Sequence, residues 1–152
     1  MRTAKLAFAF FGLAAALGAA DPALGTWKLN VEKSKYNPGP APKSGTVTYE
    51  ASGAGIRRSG ESVNAKGETS SWEYTANYDG TDYPIKGHPI ADTIAVNRVN
   101  DHTTEATLKK SGKVVTTARR VVSKDGKTMT ISTKGTTPDG KPSRNVAVYE
   151  RQ

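Results

Sequence analysis

Two arginine pairs carry the first chemical consequence of this 152-residue sequence. Arg57-Arg58 and Arg119-Arg120 lie in stretches of alternating character, and successive side chains of a strand point to opposite faces. One arginine of each pair must then face inward if these stretches line a core. An inward guanidinium has to be paired or solvated, because a buried lone charge is strongly unfavourable. Glu50, Glu61, Glu73 and Glu105 are available as internal partners, so an internal ion pair is the first expectation and an anionic ligand the second. Trp72, Tyr74, Ala76 and Tyr78 recur at every second position and share a face. They supply either an aromatic ligand wall or the filling of a core that contains no Phe after residue 20.

Other chemistry has little to stand on. There is no Cys, and the two histidines, His88 and His102, are not at metal-ligand spacing. Asp79-Gly80-Thr81-Asp82 and Asp139-Gly140 read as solvated turns, since neither has the run of acidic residues that a calcium loop needs. The expectation is of a protein that is not an enzyme and takes no metal or cofactor. The formal charge of +8 invites an anionic polymer as partner. However, the lysines are dispersed and no basic cluster is interleaved with aromatics. A solvated surface explains the charge, and no nucleic-acid partner is expected.

The elements that would position these residues begin after a leader. Met1–Lys5 is short and cationic, Leu6–Leu17 is apolar, and Gly18-Ala19-Ala20 supplies the small residues of a cleavage site. The apolar run is too short for a membrane span, and no Cys follows it for lipidation. Residues 1–20 are thus predicted to be a secretory signal peptide cut after Ala20, with 21–152 as one exported domain, periplasmic or extracellular. Losing Arg2 and Lys5 with the leader lowers the positive charge by two.

After residue 21 no apolar stretch keeps helical spacing over three turns, while Gly, Pro or Asp-Gly interrupts the chain about every dozen residues. Nine strands are predicted, at about 24–30, 45–51, 54–63, 68–79, 92–99, 103–110, 113–123, 127–134 and 144–151. Ser111-Gly112 and Asp125-Gly126 look like two-residue hairpin turns, and Asn100-Asp101 and Ser52-Gly53 like tight reversals. Val31–Ser44, with Pro38, Pro40 and Pro42, and Tyr83–Ala91 are left as irregular connections. So many strands with so few large apolar residues favour a closed antiparallel up-and-down barrel of roughly 8–10 strands over a two-sheet sandwich. A barrel interior can stay partly open or polar, whereas a sandwich has to be filled.

The two ends carry a resemblance. Gly25-Thr26-Trp27-Lys28-Leu29 resembles the Gly-x-Trp first strand of the calycins, the lipocalins and fatty-acid-binding proteins, and Val146–Arg151 is similar to the last strand of the latter. The chain also resembles exported bacterial proteins with a Gly-Thr-Trp-Lys-Leu-Asn start and an Asn-Pro-Gly-Pro-Ala-Pro-Lys-Ser segment. In physical terms Trp27 can plug the closed end of a barrel, with Arg151 or Arg120 over its ring. The calycin resemblance implies an interior pocket for an apolar acid, with Arg120 and Tyr149 at the carboxylate. It departs at the second arginine, where Ala147 stands, and in the helical lid, which the prolines of Val31–Ser44 forbid.

Periodicity alone would turn Val146 and Val148 inward, whereas the resemblance turns Tyr149 inward; both remain open. The expected ligand-facing set is Arg58, Trp72, Tyr74, Tyr78, Arg120 and Tyr149, with Gly25, Trp27 and Arg151 as structural residues. The leading expectation is non-enzymatic binding of a small apolar or amphipathic molecule. The alternatives are an envelope structural or interaction protein with a filled barrel, then a small enzyme on the same scaffold.

Overall fold

The computed structural model describes residues 20–152, so residues 1–19 of the predicted leader lie outside the described residues. Eleven strands form: β1 (Gly25–Leu29), β2 (Lys35–Asn37), β3 (Ser44–Ser52), β4 (Gly55–Val63), β5 (Thr69–Ala76), β6 (Tyr83–Lys86), β7 (Thr93–Asn100), β8 (Thr103–Lys110), β9 (Lys113–Val122), β10 (Thr128–Thr136) and β11 (Pro142–Arg151). Apart from β2, each pairs antiparallel with the next, and β1 pairs with β11 to close a ten-strand up-and-down barrel. No described helix is long and apolar enough to cross a membrane.

Two of the strands correct the sequence reading. β2 arises within the proline-rich segment and β6 within the second irregular connection, each pairing through only a few residues. The Ser111-Gly112 turn has positive φ at both residues, as a type I′ hairpin requires. Asp125-Gly126 instead forms the rear of a longer loop, closed where Ser123 N–H donates to Thr128 O and Gly126 N–H to Ser123 O.

β1 is too short to cover β11 by itself. β2 takes over the ladder at Arg144–Val146, and the gap is bridged by one hydroxyl. Asn30 N–H donates to Val148 O at 2.8 Å, Val148 N–H donates to Ser34 Oγ at 2.9 Å, and Ser34 Oγ–H donates back to Asn30 O at 2.7 Å. The sheet edge is thereby satisfied without a continuous strand.

Side chains alternate as the barrel demands. Ile56, Arg58, Tyr74, Ala76, Arg120 and Val122 turn in and are buried. Their neighbours Arg57 and Arg119 turn out, where Arg57 meets Glu50 (3.2 Å) and Glu73 (2.8 Å), and Arg119 meets Glu105 (2.7 Å). Glu50–Arg57 and Glu105–Arg119 are direct cross-strand partners. The internal ion pairs expected from these glutamates therefore do not form: Glu50, Glu73 and Glu105 serve the outer arginines, each exposed pair contributing about 0–1 kcal/mol, and Glu61 is in no ion pair among the described residues.

The closed end is the well-packed core. Trp27, Val47, Ile56 and Met129 are fully buried there. Trp27 Nε1–H donates to Ala23 O at 2.8 Å, and the Arg151 guanidinium lies 4.2 Å over the ring, resolving the Arg151-or-Arg120 choice. Arg151 also donates to Gly126 O (2.6 Å), Leu24 O (2.5 Å) and Pro22 O (2.6 Å), tying the entry segment to the last strand. Gly25 permits this clamp: its φ is +121°, and a Cβ there would stand 2.7 Å from Arg151 Nη1. A glycine, a tryptophan and an arginine thus close one end of the barrel as a unit.

Candidate functional site

Above this plug the strands enclose a cavity of about 370 Å³, within the range of small-molecule sites. Its wall includes Tyr49, Arg58, Trp72, Tyr74, Arg120 and Tyr149, with Ile94, Leu108 and Ile131 as apolar counterparts. Thr116, Thr133, Ser143 and Asn145 add hydroxyls and an amide. Tyr36 and Pro42, from the proline-rich strap, and His88 and Ile90, from the loop after β6, bring both irregular segments onto the wall. The strap thus contributes to the enclosure without a helix.

Tyr149 lines the cavity with Ala147 and Asn145, whereas Val146 is exposed. The face proposed by the resemblance is the inner one. Tyr78 departs from expectation. β5 ends at Ala76, and Tyr78 is absent from the cavity wall. Its hydroxyl donates to Asp21 Oδ2, accepts from Arg120 Nη2 at 3.3 Å, and its ring stacks under Arg98 at 4.3 Å.

The two inward arginines reach in opposite directions. Arg120, two residues before the end of β9 at Val122, extends to Tyr78 and lies 4.6 Å from the Tyr49 ring. Burial works against its charge, but the phenols of Tyr49, Tyr78 and Tyr74 more than offset this, and the guanidinium is held firmly cationic. Through Tyr78 it is linked to the Asp21 carboxylate. Its Nε–H is buried with no partner in the structure.

Arg58 runs toward the other end. Its guanidinium lies 3.5 Å over the Trp72 ring, and Nη1–H donates to Trp72 O at 2.8 Å. The bend is possible because Gly60 is the next inward residue of β4: a Cβ there would come within 2.7 Å of Nη2. No carboxylate pairs with Arg58 among the described residues. Leaving a 9% exposed guanidinium without a counter-charge costs stability in the empty protein. The cation–π contact, about 2 kcal/mol when desolvated, offsets part of that cost.

His88, which sequence reasoning set aside as a loop residue, completes this corner. Its ring stands edge-on to Trp72, with centroids 4.8 Å apart. Gly87, at φ +84°, lets the loop approach so closely that a Cβ would lie 2.4 Å from Ser71 O. Nδ1 accepts from Ile90 N–H (3.2 Å) and Ala91 N–H (3.1 Å), which leaves Nε2 as the protonated nitrogen of the neutral ring. Burial, then the charge of Arg58, push its pKa down to about 4. His88 is consequently a neutral donor at physiological pH.

The cavity wall also carries several phenols and the Glu61 carboxylate. Burial is the leading cause that raises Tyr36, Tyr74 and Tyr149, reinforced by Tyr149 at Tyr36, by Tyr49 at Tyr74, and by Tyr49 at Tyr149. Among the described residues no group of three or more His, Cys, Asp or Glu is placed to hold a metal ion.

No protein-family model matches the chain, and neither does any curated protein. Among solved structures, Rv2717c from M. tuberculosis superposes with a TM-score of 0.51 at 16% sequence identity, covering 86% of this chain and 93% of that one. The fold is calycin-like. At such low identity the likeness concerns the barrel alone, and the contents of the cavity must be read from this chain's own residues.

Proposed function

We propose that this protein is an exported, non-enzymatic carrier of a small amphipathic molecule, held inside the barrel with an aromatic or apolar body against Trp72 and Tyr74. The single observation behind this reading is the cavity of about 370 Å³, lined by those two rings and by two inward arginines that have no carboxylate partner. A barrel kept only as a scaffold gains stability by filling such a space, since each lost methylene contact costs energy. Binding rather than acid–base catalysis suits the groups present. His88 is held well below neutral pH, and the phenols of Tyr36, Tyr74 and Tyr149 above their ordinary range, so these groups are not poised to exchange protons near pH 7.

Titration with the neutral fluorophore N-phenyl-1-naphthylamine tests this reading. Saturable one-to-one binding is expected, with quenching of Trp72 and little change at Trp27, which is sealed behind the closed end. Trp72→Ala should weaken that binding about tenfold, the scale of one lost aromatic contact of 1–1.5 kcal/mol. Absence of saturable binding to the wild-type protein would defeat the carrier reading.

A further inference from the structure

We infer that Arg58, seated on Trp72 beside His88, is an anion subsite distinct from Arg120, and that the ligand class is an aromatic or amphipathic molecule bearing a compact oxyanion. This rests on the carrier reading and assigns the end of the ligand that carries charge.

Three observations bear on Arg58. The residue is 9% exposed, makes one side-chain hydrogen bond, to Trp72 O, and lines the cavity. It has no carboxylate partner, whereas its chain neighbour Arg57 is paired twice on the outer face. Glu50 and Glu73 are thus engaged outside, and Glu61, at the cavity wall, makes no ion pair with Arg58, so the inner charge is left for another anion. Finally, the position is built. Gly60 leaves the space that the guanidinium occupies, Trp72 supports it from one side, and Gly87 brings His88 against the same ring.

Arg120 is equally buried, lines the same cavity and likewise makes one hydrogen bond and no ion pair, but it differs in direction and surroundings. It points to the closed end, where its hydrogen bond runs to the Tyr78 hydroxyl, which in turn donates to the Asp21 carboxylate that also meets Arg98. The planar fork of Arg58 suits a carboxylate or sulfonate, which can accept two N–H bonds at once. The neutral His88 ring adds a donor at the same corner without adding charge. An aromatic body would then extend from Trp72 toward Tyr74, whose ring lies 6.0 Å away at an interplanar angle of 27°.

The test compares two probes of nearly identical shape, 8-anilino-1-naphthalenesulfonate and the neutral N-phenyl-1-naphthylamine. The wild-type protein should bind the sulfonate more tightly, and Arg58→Gln should erase that preference, a loss of roughly tenfold or more for one charged hydrogen-bonding partner. The variant should still bind the neutral probe saturably, with a smaller change in affinity than for the sulfonate, which also reports that it is folded. Gly60→Ala, which keeps the charge but displaces the guanidinium, should reduce the preference as well. Arg57→Gln removes the same charge one residue away on the outside and should leave the preference intact.

Retention of the sulfonate preference in Arg58→Gln would overturn the inference, as would an equal loss in Arg57→Gln or a loss confined to Arg120→Gln. In those outcomes neutral binding persists and the carrier reading survives. Failure of both probes on the wild-type protein would instead overturn the carrier reading together with the subsite.

Discussion

Trp27→Ala is expected to destabilise the protein by about 3–5 kcal/mol, the cost of emptying a fully buried aromatic site, against a total of about 5–15 kcal/mol for an ordinary domain. The size follows from position. Trp27 is 0% exposed, and β1 joins β3 and β11 at this ring, so its loss opens a void where the barrel closes. Trp27→Phe separates the contributions. It retains most of the volume but leaves the Ala23 carbonyl without its donor, a loss of about 1–3 kcal/mol. Arg151→Ala should cost less than Trp27→Ala, because it uncovers one face of the ring rather than emptying the site, and the hydrogen bonds it releases are exposed. Guanidinium-chloride unfolding of the three variants checks the order. If Trp27→Ala fell within 1 kcal/mol of wild type, on the scale of a surface change, the plug at the closed end would be refuted.

The second large effect is alkaline unfolding. Four of the six tyrosines, Tyr36, Tyr74, Tyr78 and Tyr149, have pKa values raised mainly by burial. In the unfolded chain a phenol ionises near pH 10. Above that pH the unfolded state has released protons that the folded state retains, so stability falls as pH rises. The contribution is fully present below about pH 10 and is lost progressively as pH climbs through the folded values, at up to about 1.4 kcal/mol per pH unit for each fully shielded phenol. Tyr74, only 8% exposed, contributes most per residue. The phenolate absorbance should therefore rise mainly with loss of the near-ultraviolet circular dichroism, in one cooperative step. Smooth titration of all six phenols near pH 10, with the fold intact, would mean that the barrel interior is freely wetted.

How much of this was legible in the sequence depended on whether a feature was local. The two arginine pairs could be placed because a strand's period of two forces one member inward, whatever the neighbouring strands. The partners of those arginines depended on register, and register put Glu50 opposite Arg57 and Glu105 opposite Arg119 on the outer face. β2 and β6 escaped notice because each holds only a few pairs beside proline and owes its conformation to the strand next to it. On β11 the valines misled: Val146 is exposed, as are Val99, Val114 and Val121, because β-branched residues favour the pleated backbone on either face.

Within the site, Trp72 and Tyr74 were readable from alternation. Tyr78 was not, because β5 stops at Ala76 and a bend carries the ring toward Asp21. Tyr49 was missed although Val47 and Tyr49 already showed the same inward period. His88 gave no local signal: its place on the wall depends on Gly87 continuing the approach of the short β6 to β5, a pairing the sequence did not reveal.

Native mass spectrometry of the protein, isolated gently from the cells that make it, tests most directly whether the barrel interior is a ligand site. The expected spectrum shows a polypeptide beginning at Asp21 with one additional small mass that departs on denaturation and ionises as an acid. A spectrum showing only the bare polypeptide, under conditions that keep the barrel folded, would contradict the carrier reading.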